Sequence, residues 1–267
     1  MLSGYRRRFE RLRVHQVECP RFKTRRIMRG MKPLAAFSRP EADAVPTSIR
    51  SIELCGPAGR LEALLNEGAS DPPFAALVCH PHPKGGGTMH NKVVYHAMKV
   101  LNAPEWGFRC PVLRFNFRGT GLSEGEHDGL AETADVAAAL SWLYAEYRLP
   151  LILAGFSFGA SMAARACKVD APATGQPRVH ALAALGLPTQ GFGQRFLYSY
   201  LADCKIPKLF LSGDADSFAP VEQLEAVFNS AADPKKFTLI PHSDHFFSGR
   251  LKAMQESFAA WLKEQLQ

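Results

Sequence analysis

The chain has 267 residues, 46% of them apolar, enough to bury a full core as one large or two small domains. No stretch approaches the ~20 consecutive apolar residues of a membrane-spanning helix, so the expectation is a soluble body with no membrane span. The net charge of +7 is unevenly spread, because residues 1–39 hold twelve Lys/Arg against only Glu10 and Glu18. The rest is slightly acidic and has no electrostatic reason to bind nucleic acid.

The basic arm admits three readings: an extension without a partner, an organelle transit peptide, or a segment that holds nucleic acid or an anionic membrane. Met28 and Met31 would each serve as the start of a shorter chain. A secretory signal is not expected, since no apolar run follows the charges. Residues 1–45 are therefore expected to be a disordered extension and linker, and residues 46–267 one domain. The six cysteines are scattered, with no C-x-x-C pair. That usage suits a reduced compartment, so a cytoplasmic location is expected, with organelle targeting through the arm as the alternative.

Residues 48–54 and 60–66 alternate in polarity and flank Gly and Pro, which predicts a β-hairpin. From Phe74 onward, continuous apolar runs alternate with helical patterns. Strands are predicted over 74–79, 111–117, 149–154, 180–186, 208–212 and 236–240. Helices are predicted over 91–102, 131–147, 160–168, 221–231 and 250–266. The last carries Leu251, Met254, Phe258, Leu262 and Leu266 at helical spacing. Such alternation predicts an α/β fold, a mostly parallel sheet wrapped by helices with an antiparallel hairpin at its N-terminal edge.

In open α/β sheets, ligands bind beyond the carboxyl ends of the strands. The strand over 149–154 leads into Gly155-Phe156-Ser157-Phe158-Gly159 and then a helix, the context in which G-x-S-x-G exposes a serine on a strained turn. The next loops bring Asp214 and Asp216, then His242 and His245. A serine hydroxyl is a weak nucleophile unless an imidazole takes its proton and a carboxylate holds that imidazole's tautomer. The order Ser, Asp, His at successive strand ends points to that chemistry, with Ser157 as nucleophile and the N–H of Phe158 as one oxyanion donor.

The chain resembles the α/β-hydrolase superfamily from Thr47 to its end. Within that superfamily it is similar to a small, capless group of predicted hydrolases with an H-P-H-P-x-x-G-G-T-M motif, here His80 to Met89. The Arg114-Phe-Asn-Phe-Arg-Gly stretch and the Asp244-His-Phe-Phe ending match the same group. The resemblance implies an α/β-hydrolase fold without a large cap. Its G-x-x-D pattern selects Asp216 over Asp214, and its D-H-F-F ending selects His245 over His242. It implies His82 as the second oxyanion donor; His80, weighed against a metal-ligand role, reads as a hydrogen-bonded loop anchor.

Neither a cofactor nor a metal is expected. His80 and His82 lack a carboxylate or cysteine to complete a zinc set, and residues 119–125 lack dinucleotide-loop spacing. Only residues 187–207 are available for a cap, enough for a helix such as 193–202, so an open, shallow acyl pocket is expected. Phe192, Phe218 and Phe246, with Phe196 and Phe247, are candidates to line it. The expected activity is that of a carboxylesterase-like serine hydrolase acting on a small ester or thioester. The alternatives are a peptidase or amidase on the same residues and a non-catalytic scaffold of the same fold.

Overall fold

Eight-residue runs of alternating polarity on either side of Pro57-Ala58 build the first pair of strands, β1 (Ile49–Gly56) and β2 (Gly59–Asn66), antiparallel over their whole length. The structure is a computed structural model that describes residues 48–167, 178–191 and 194–265. All of these fall within one unit, Ala44–Gln267. The basic arm lies outside the described residues.

After the hairpin come β3 (Ala75–Cys79), α1 (Lys92–Asn102), β4 (Val112–Phe115), α2 (Glu132–Tyr147), β5 (Leu151–Phe156) and α3 (Phe158–Ala166). Then follow β6 (Val179–Leu185), the short strands β7 (Gln190–Gly191) and β8 (Gln194–Arg195), β9 (Lys208–Gly213), α4 (Val221–Ser230), β10 (Lys235–Ile240) and α5 (Leu251–Gln265). Eight strands form one sheet in the order β1-β2-β4-β3-β5-β6-β9-β10. The hairpin joins through an antiparallel β2–β4 contact, and every pairing from β4 to β10 is parallel.

Successive residues of a strand face opposite sides, and the apolar runs use both. Ala75, Leu77 and Cys79 of β3 join a core with α2 and α3; Phe74, Ala76 and Val78 join a second core with α1 and α5. The predicted stripe of α5 lies there, with Met254, Phe258 and Leu262 buried and Leu251 packed at its edge. Leu266 lies outside the described residues.

Two boundaries differ instructively from the sequence reading. Strand β5 runs through Gly155 to Phe156 and α3 begins at Phe158, so Ser157 alone separates strand from helix. The predicted helix over 193–202 does not form among its described residues, 194–202. Its place holds the β7–β8 hairpin and a single 3-10 turn, Ser199–Ala202. The backbone there is drawn outward: Thr189 and Gln190 N–H bond to Phe218 O at 2.9 and 3.0 Å, and Phe196 N–H to Thr189 O at 2.9 Å. Among the described residues no cap domain covers the sheet, and no helix is long and apolar enough to cross a membrane.

Candidate active site

Ser157 sits at the one residue where the chain turns from strand to helix, with φ 54° and ψ −118°. That region is strained for any residue with a Cβ. The flanking glycines are required by space. A Cβ on Gly155 would lie 2.3 Å from Gly159 O, and one on Gly159 would lie 2.4 Å from Cys79 O and 2.5 Å from His80 O. The turn is further held by the Ser157 N–H, which donates to Leu185 O at 2.9 Å.

The loops after β9 and β10 reach the same point. The Ser157 Oγ lies 2.9 Å from His245 Nε2, and His245 Nδ1 lies 2.8 Å from Asp216 Oδ2. With Nδ1 donating to the carboxylate, Nε2 is left to accept the serine proton. Asp216 is buried and also accepts from Ser212 Oγ at 2.9 Å and from the N–H groups of Phe218 and Ala219 at 2.8 and 3.1 Å. Its four bonds leave it little freedom. The His245 ring packs against Phe156 and Phe218, with centroids 5.0 and 4.6 Å away.

The competing residues have other partners. Asp214 Oδ1 accepts from Ser243 N–H at 3.2 Å, which ties the two loops together. A bond from His242 N–H and, to a lesser degree, that from Ser243 N–H hold its carboxyl below the usual range. His242 is exposed, on a turn with φ 53°.

The N–H groups of the first turn of α3, that of Phe158 first among them, have no partner within the helix and carry its positive dipole end. The loop that carries His82 runs beside this turn, with the His82 and Phe158 rings 5.0 Å apart. That loop is built tightly. His82 Nδ1 accepts from Lys84 N–H at 3.2 Å, and its carbonyl accepts from Gly85 and Gly87 N–H at 3.0 and 3.1 Å. Burial, with His127 and Lys84 nearby, lowers the pKa of His82 against an opposing pull from Glu132.

His80 is wholly buried and spends both ring nitrogens, Nδ1 on Pro81 O at 2.6 Å and Nε2 on Phe117 N–H at 3.0 Å. Burial pushes its pKa down to about 4, so it is neutral. No group of His, Cys, Asp or Glu suited to a metal occurs among the described residues.

The second matching stretch supports the first. Arg114 donates to Met89 O at 3.2 Å and to Asn66 Oδ1 at 3.1 Å. Asn116 accepts from Met89 N–H at 2.8 Å and donates to Glu62 at 2.7 Å. Arg118 and the fully buried Asp135 form a forked ion pair, 2.7 Å at its shortest, that fastens the loop to α2.

Ser157 and His245 open onto a cleft of about 620 Å³. Phe218 and Phe246 line it; Phe192 lies outside the described residues. Phe247 does not line the cleft, because its ring is fully buried in the core shared with α1 and α5, beside Phe156. Sequence reasoning missed Ser161, Met162 and Arg165, which line it one and two turns beyond Ser157 on α3. The spacing of Ser161 and Arg165, four and eight residues from the serine, was the available signal, and Met162 adjoins the first of them. It also missed His127, whose Nδ1 is 2.7 Å from the buried Glu132, at ion-pair distance but off the hydrogen-bond direction. A lone loop histidine gives no such signal.

The sheet order, the flanking helices and the serine turn are those of the α/β-hydrolase fold. A family model described as an alpha/beta hydrolase domain matches residues 85–266, and the chain belongs to that family. An uncharacterised protein of Rickettsia prowazekii is 34% identical over 216 residues, 78% of this chain and 86% of that protein. Among solved structures, an α/β serine hydrolase homologue from Coxiella burnetii is 32% identical with a TM-score of 0.69, covering 79% of this chain and 96% of that one. A Xanthomonas campestris protein, described as an α/β serine hydrolase without a lid, is 30% identical with a TM-score of 0.70, covering 82% and 95%.

Proposed function

We propose that the protein is a serine hydrolase that cleaves small carboxylic esters or thioesters through an acyl-enzyme on Ser157. The observation that carries this reading is the chain of contacts from Ser157 Oγ to His245 to Asp216, 2.9 and 2.8 Å, with Ser157 and His245 lining a cleft. Ser157 Oγ attacks the carbonyl carbon while its proton passes to His245 Nε2. Asp216 keeps Nδ1–H in place and stabilises the imidazolium that forms. The negative charge on the carbonyl oxygen meets the N–H groups of Phe158 and His82. Donors of this kind are worth about 10²–10³ each in rate. The tetrahedral intermediate collapses, and the alcohol or thiol leaves with the proton from His245. Water, deprotonated by the same imidazole, then releases the acid and restores Ser157.

Hydrolysis of p-nitrophenyl butyrate by the purified protein tests this. The wild type is expected to turn it over faster than aminoacyl p-nitroanilides, and Ser157→Ala to lower kcat by about 10³-fold or more. Equal rates for wild type and Ser157→Ala would refute the mechanism. Faster cleavage of the anilides would make the protein an amidase on the same residues.

A further inference from the structure

Helix α3 begins at the residue after Ser157, and Ser161 and Arg165 follow at steps of four on the same side. All three line the cleft. Their other bonds differ. Ser161 shares a 2.6 Å hydrogen bond with the hydroxyl of Tyr198, which itself donates to Pro188 O at 2.6 Å. Arg165 has no such settlement. No carboxylate lies within ion-pair distance of it among the described residues, and its Nε is buried without a hydrogen-bond partner. Its guanidinium lies over the ring of Tyr200, 5.5 Å from the centroid, and the Tyr200 hydroxyl is likewise buried and unpartnered.

Buried polar atoms are nearly always paired, so a buried guanidinium nitrogen without a partner on a half-buried side chain is an exception. Here a half-buried cation with unspent hydrogen-bonding capacity lines the cleft, and a phenolic donor in the same state lies beside it. Burial raises the pKa of Tyr200, so its hydroxyl keeps its proton to give. Lys84 adds a second positive charge to the lining. The one carboxylate of that lining is Asp128, whose Oδ1 accepts from the N–H groups of Leu130 and Ala131 at 3.1 and 2.9 Å.

We propose that Arg165 is a specificity residue that anchors a carboxylate carried by the ester substrate. This rests on the serine-hydrolase reading of Ser157. The Cα atoms of Ser157 and Arg165 are about 12 Å apart at ~1.5 Å rise per residue, and a helical side chain leans back toward the N-terminus. The guanidinium thus stands about one short chain's length from the serine. Its planar fork matches a carboxylate with two parallel hydrogen bonds, which a lysine does not reproduce. The preferred substrates are then esters or thioesters with a second, free carboxyl group, such as hemiesters of dicarboxylic acids.

The test compares kcat/KM for the p-nitrophenyl hemiester of glutaric acid with that for the neutral p-nitrophenyl butyrate. A second arm compares 4-carboxyphenyl butyrate with phenyl butyrate, which separates a carboxylate on the acyl group from one on the leaving group. In at least one arm the wild type is expected to favour the charged ester. Arg165→Gln is expected to lower that charged-to-neutral ratio by about tenfold or more, through a higher KM, and Arg165→Lys to recover part of it. Because each ratio is taken on one preparation, partial misfolding of a variant cancels. A ratio unchanged by Arg165→Gln in both arms, with the neutral esters cleaved in a Ser157-dependent way, would overturn this assignment and leave the hydrolase reading standing. Absence of Ser157-dependent cleavage of either neutral ester would overturn the hydrolase reading, and this assignment with it.

Discussion

At Ser157, strain and precision come together: φ 54° aims the hydroxyl, and the bond to Leu185 O keeps the turn from relaxing. Asp216 performs the matching service for His245, since four hydrogen bonds fix the carboxylate whose Oδ2 meets Nδ1. Replacing Asp216 with Asn is expected to keep the shape but let the amide donate to Nδ1, leaving the proton on Nε2, where it cannot accept from serine. A fall in kcat of about 10⁴-fold with little change in KM follows, read by steady-state kinetics on p-nitrophenyl butyrate. The residues that meet here were half legible. Spacing alone left Asp214 beside Asp216 and His242 beside His245, and only the motifs around them separated each pair. The bonds that divide them, Asp214 to Ser243 N–H and Asp216 to His245, join loops far apart in sequence.

Elements with a strong period were legible, and those shaped by distant backbone partners were not. Strands β3, β5 and β9 read as apolar runs because both their faces are covered, and α5 read as a helix because one stripe faces the core. Residues 193–202 read as a helix, yet the neighbouring chain is held extended by the carbonyls of Phe218 and Thr189, which no local pattern reveals. The junction of β5 and α3 is where element packing governs chemistry. Gly159→Ala would press a methyl group against the Cys79 and His80 carbonyls at 2.4 and 2.5 Å, both of them backbone. The helix start must then retreat from the loop that carries His82. A loss of about 3 kcal/mol of stability is expected from such overpacking, measured by urea unfolding. Activity per folded molecule is expected to fall as well, since the two proposed oxyanion donors are pulled apart.

For the molecule as a whole, the sequence showed a hydrolase fold with a full core, and the buried histidine of its H-P-H-P motif adds a pH dependence to its stability. His80 has a pKa of about 4 when folded, below the ordinary 6.5 it regains on unfolding. Its neutral state is thus favoured by folding, and the associated stability is complete above about pH 6.5. As the pH falls from 6.5 toward 4, the unfolded chain takes up the proton first and stability drops by about 3 kcal/mol. Urea midpoints between pH 6.5 and 4 are expected to fall in the wild type and to fall less in His80→Gln; equal slopes would contradict this. Whether the whole arrangement is a working serine hydrolase is tested most directly by intact-mass and peptide analysis after treatment with a fluorophosphonate. The wild type is expected to gain a single adduct on Ser157, and His245→Ala to react far more slowly. An unlabelled wild type, or equal labelling of Ser157→Ala, would contradict the account.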